Sequence, residues 1–70
     1  MDIKHLVDKA YETKSLKEIA AASPAALQGV SDKDAQHLKD AFNIKTVSEL
    51  ANHKFIRWAQ AIDTLAQFEK

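Results

Sequence analysis

Cysteine is missing from this chain altogether, which excludes a disulfide framework and any thiolate metal site and leaves the redox compartment open. Glycine and proline occur once each, at Gly29 and Pro24, so few points force a helix to break. Neither sign of charge is in excess, ten Lys and Arg balancing ten Asp and Glu. Proteins that hold nucleic acid mainly through its phosphates carry a basic surplus, because each neutralised phosphate releases counterions. Long apolar runs are absent too. The N-terminal stretch "MDIKHLVDKAYETK" threads charges through its apolar residues and reads as neither a signal peptide nor a membrane span. Cytoplasmic residence is therefore the default expectation.

What remains is an ordinary globular composition, 46% hydrophobic and 29% charged over 70 residues, enough for one domain spanning residues 1–70. At that size a chain buries only about 60% of its unfolded surface, which makes stability modest and association with a partner worth considering. Ala, Leu, Lys, Glu and Gln are common and β-branched residues sparse, so the fold class expected is all-α.

Apolar spacing divides the chain into about five short helices. Ile3, Leu6, Val7, Ala10 and Tyr11 recur at helical intervals, predicting an amphipathic helix from residue 3 to about 11 with Asp2 as its cap. Ser15 and Glu18 have capping-box spacing ahead of a short helix that buries Leu16, Ile19 and Ala20. Pro24 suits the first position of a further turn, "SPAALQ", which ends at Gly29. Ser31 caps a third major helix, with Asp32 and Asp34 in the first turn, where the helix dipole favours negative charge. Ala35, Leu38, Ala41 and Phe42 form its apolar side, and Asn43 ends it. "KTVSELAN" repeats the cap with Thr46 and Glu49. The last segment carries Phe55, Trp58, Ala59, Ile62, Leu65 and Ala66 on a wide stripe and is expected to supply most of the core, with Trp58 most simply a core aromatic.

An internal echo runs through this pattern. "HLVDKAYETKSLKEIA" from His5 aligns with "HLKDAFNIKTVSELA" from His37, pairing Asp8 with Asp40, Tyr11 with Phe42, Lys14 with Lys45 and Glu18 with Glu49. Each copy reads as a helix, a tight turn and a short capped helix that cannot cover its own apolar face, so two related helix-turn-helix units would pack around one core.

From Lys14 through Phe42 the chain resembles a helix-hairpin-helix module of the SAM-like class. The family's hydrophobic-x-Gly-hydrophobic-Gly-x-x-x-Ala-x-x-hydrophobic pattern is met by Leu27, Gly29, Val30, Ala35 and Leu38, with Ser31 in the place of the second glycine. The "GVS" turn and its "KSLKEIAAASPAAL" lead-in are similar to the N-terminal domain of strand-exchange recombinases and to small helix-hairpin-helix proteins of unassigned function. The resemblance implies a compact all-α bundle. It also implies phosphate contact through the amides of Gly29, Val30 and Ser31 with Lys33 as the nearest cation. Ser31 in place of glycine, the acidic Asp32 and Asp34, and a second unit without a glycine hairpin are departures from the DNA-binding pattern. Lys54 and Arg57, beside His53, offer a small basic patch.

Patterns for catalysis, cofactors and metals are lacking. His5, His37 and His53 are too far apart for an i, i+4 ligand pair, and there is neither a nucleophile elbow nor a glycine-rich phosphate loop. No small-molecule substrate is evident. Two readings follow. One is a non-enzymatic protein-interaction or structural module, able to self-associate, with Trp58 and Phe68 as candidate anchors for a protein partner. The other is a weak, sequence-independent binder of double-stranded DNA that uses the hairpin from Gly29 to Lys33.

Overall fold

In the computed structural model, which describes residues 3–69, the all-α expectation holds but the first helix does not. Residues 4–6 form a turn, and Val7 makes an isolated antiparallel bridge to Leu27. The Asp8 N–H donates to the Ala26 carbonyl at 2.7 Å and the Gln28 N–H to the Leu6 carbonyl at 2.9 Å. Asp8 then caps a 3-10 turn, Lys9–Tyr11, by accepting from the Ala10 N–H. The cause is tertiary. The bridge buries Val7 and also satisfies backbone groups of residues 26–28, which a helix at residues 3–11 would leave without these partners. Asp2, expected as a cap, lies outside the described residues.

The capped helices form where the sequence places them. α1 spans Leu16–Ala20, with Ser15 Oγ accepting from the Glu18 N–H and the Glu18 carboxylate from the Ser15 N–H, both at 3.1 Å. Ile19 is buried, but Leu16 points to solvent. α1 is little more than one turn long, and the chain is tied down at its C-terminal end, where the Val47 N–H donates to the Ala22 carbonyl. A second 3-10 turn, Pro24–Ala26, starts on Ser23 and has Pro24 and Ala26 fully enclosed. Gly29 takes φ +94°, a conformation L side chains rarely adopt.

Ser31 opens α2, Asp32–Phe42, through a second capping box closed by Asp34. α2 ends at Asn43 in the left-handed region, φ 57°, and the chain turns so that Ile44 drops into the core. α3, Val47–Asn52, is capped by Thr46, and the Glu49 carboxylate accepts from the Lys45 N–H. His53 is at once the C-terminal cap of α3 and the N-terminal cap of α4, Lys54–Ala66. The two arms of the sequence echo thus share a short capped helix. Their first halves differ, a bridged turn in one and α2 in the other.

The core consists of Val7, Ile19, Pro24, Ala26 and Ile44. α4 contributes none of it, contrary to the expectation from its stripe. Only Ile56 is half-buried, and every described residue from Arg57 onward is exposed. α4 packs at its beginning against α3 and the Phe42 ring at the end of α2, and its described residues from Arg57 onward are exposed. Among the described residues the chain has four α-helices and two 3-10 turns, with α4 projecting from the rest. The radius of gyration is 13.8 Å, whereas a compact chain of this length would measure about 11 Å.

Candidate functional site: an apolar ridge on the projecting helix

α4 begins within an aromatic cluster. His53 Nδ1 accepts from the Phe55 N–H at 3.2 Å, which fixes the entry of the helix, and its ring lies 5.4 Å from that of Phe42 and 5.1 Å from that of Phe55. Phe42 and Phe55 meet edge to face at 6.0 Å, and Phe55 lies 5.6 Å from Trp58. Such ring pairs are favourable beyond their buried area, so the C-terminal end of α2 pins the first turn of α4. Beyond that turn every described residue of the helix is exposed.

Four large side chains then follow at intervals of three, four and three residues: Phe55, Trp58, Ile62 and Leu65. This spacing sets them on one face, the a and d positions of two heptads. Trp58 is 57% exposed, Ile62 68%, Leu65 70% and Phe68, on the flank, 79%. Trp58 is therefore not the core aromatic expected, but it and Phe68 are accessible in the way an anchor for a partner requires. Phe42, Ile62 and Leu65 join them, having been read from the sequence as core. The 3-4-3 spacing of Phe55, Trp58, Ile62 and Leu65 was the available signal on α4, although spacing alone does not say whether the covering surface belongs to the same chain.

The hairpin is arranged differently from what its resemblance implies. Gly29 is exposed, with open space where a Cβ would sit. The Val30 N–H, however, already donates to the Leu27 carbonyl at 3.1 Å, and the Ser31 N–H to the Asp34 carboxylate at 3.2 Å. Two of the three amides expected to grip phosphate are thus occupied, the second by a negatively charged group. Lys33 is exposed beside Asp32 and Asp34. Lys54 and Arg57 are both exposed, and the Lys54 ammonium lies 5.2 Å from the Phe55 ring centre and 5.9 Å from that of Trp58, a cation-π arrangement over the ridge.

An open groove of about 370 Å³ lies between the second 3-10 turn and α2, lined by residues including Asp32, Lys39, Ile44 and Lys45. Every buried polar side-chain atom among the described residues has a hydrogen-bond partner. Among the described residues no three His, Cys, Asp or Glu side chains gather as metal ligands would, and no helix is long and apolar enough to cross a membrane. No family model matches the chain, and no significant match was found to a curated protein or to a solved structure.

Proposed function

We propose that this chain is a non-enzymatic protein-interaction module that docks through the apolar ridge of α4. One observation carries the reading: Trp58, Ile62 and Leu65 stand on a single helix face, each more than half exposed. Aromatic anchors flanked by aliphatic side chains are the composition of interface hot spots. The helix itself argues in the same direction. Thirteen residues is close to the length at which an isolated helix is marginal in water, so its stability has to come from packing of its apolar face. The alternative of DNA binding draws on the helix-hairpin-helix pattern at Leu27, Gly29, Val30, Ala35 and Leu38. It loses support from the occupied amides of Val30 and Ser31.

Trp58 is the only tryptophan and reports on the ridge directly. Collisional quenching of its fluorescence in dilute protein should show an accessible indole that becomes protected when a partner docks. A Trp58 shielded even in the dilute monomer would overturn the proposal. So would salt-sensitive amide shifts confined to Gly29–Asp34 on titration with short double-stranded DNA.

A further inference from the structure

Resting on that reading, we infer that the ridge is built to pair with a second copy of itself, α4 against α4 in antiparallel orientation. The first argument is area. The chain exposes 5755 Å², whereas a folded monomer of its mass, 7.8 kDa, would expose about 4,400 Å². The exposed portions of Phe42, Phe55, Trp58, Ile62, Leu65 and Phe68 come to roughly 700 Å² per copy. A two-fold pair would bury about twice that, inside the range of stable specific interfaces.

The second argument is the order of side chains along the face. About a two-fold axis lying between Trp58 and Ile62, Phe55 faces the second copy's Leu65, and Trp58 faces the second copy's Ile62. Every layer then joins one aromatic ring to one aliphatic side chain, in the a-against-d register of antiparallel helix pairs. A parallel pair would instead stack Trp58 on Trp58 and Phe55 on Phe55, with two aliphatic layers beyond, and its layers would differ widely in volume.

Charge supplies the third argument. α4 has no acidic residue in its first turn and no basic residue in its last. Lys54 stands at its positive end, and Glu69 follows three residues after its negative end. Both charges oppose the dipole of their own helix. In the antiparallel pair Lys54 comes beside the C-terminal end of the second copy's helix, close to that copy's Glu69 and Phe68, and each charge meets its opposite. A parallel pair would set like charges side by side.

Sedimentation velocity over a concentration series, run together with Trp58 quenching, tests the pairing. A reversible dimer is expected, half-formed on the order of 10 µM, with Trp58 protected as it forms and Trp58→Glu abolishing it. The charge variants separate pairing from any effect inside one helix. Lys54→Glu relieves the clash with the helix's own dipole, so a purely intrahelical role predicts unchanged or stronger association. The antiparallel pair predicts that Lys54→Glu and Glu69→Lys each weaken the dimer about tenfold, the symmetry counting each change twice, and that the double exchange restores it. A chain that stays monomeric to several hundred micromolar with Trp58 accessible would overturn the pairing and leave the docking ridge intact. A monomer with Trp58 shielded would overturn both.

Discussion

Two isoleucines in this chain make a matched experiment. Ile44 is 2% exposed and Ile62 is 68% exposed, so truncation to alanine removes the same atoms from opposite environments. At Ile44 the substitution forfeits nearly the whole transfer term and leaves a cavity in the core, which together costs about 2–5 kcal/mol. For 70 residues the total folding stability is roughly 3.5–10 kcal/mol, so Ile44→Ala removes a large part of it. At Ile62 only about a third of the side chain is covered, equivalent to roughly 0.5–1 kcal/mol of the transfer term. Alanine returns about 0.4 kcal/mol in helix propensity. The net effect on the dilute monomer is about 0–0.6 kcal/mol. Urea unfolding of both variants at low micromolar concentration, followed by far-UV circular dichroism, gives the comparison directly. Equal and concentration-independent destabilisation by the two would refute the reasoning, because it would mean that α4 is packed against its own chain.

Other outcomes follow from the turns and caps. Gly29→Ala meets no atom within 4 Å, so its cost is the positive φ alone, about 1 kcal/mol; thermal unfolding should show a loss of roughly 4–8 °C, with Gly29→Asn losing less. Ser31→Ala removes one acceptor of the α2 capping box and should cost about 1 kcal/mol, read by the same melt. The Glu18 carboxyl is held below its ordinary value of 4.5, first by the Ser15 N–H from which it accepts, then by the Ser15 side chain, with desolvation opposing and the charge of Lys14 adding last. A depressed carboxyl stabilises the fold above its unfolded value, and that contribution is lost as the pH falls through the lower folded value. Carboxyl-detected NMR should therefore place the Glu18 midpoint below 4.5 and move it upward in Ser15→Ala.

The short helices were legible because their start signals are local. Ser15 with Glu18, Ser31 ahead of α2, and Thr46 ahead of α3 act within four residues of chain and cap the helices as read, while the closing of the Ser31 box by Asp34 adds to the charge role expected of it. Gly29 and Asn43 likewise take the positive φ that their residue types permit. The segment at residues 3–8 was not legible, since its conformation is decided by pairing with residues 26–28, about twenty positions away. One local sign was present in Asp8, whose side chain prefers to cap a new turn rather than continue a helix. On α4 the stripe itself was correctly read, but the side of the molecule that covers it is a property of the assembled fold. The same holds for the hairpin, where the residues match a known pattern and the hydrogen bonds show that the amides of Val30 and Ser31 already have acceptors.

The passage from α3 to α4 through the single residue His53 makes the spacing of the chain there critical. Each residue advances a helix by about 100° of rotation and 1.5 Å of rise. One residue inserted after His53, with the caps re-formed, would swing the ridge through more than a quarter turn relative to Phe42 and the rest of the domain. The composition would hardly change, and the apolar face would point elsewhere. Length at this junction thus sets where the ridge points, while the His53 side chain that caps α4 holds the junction in place.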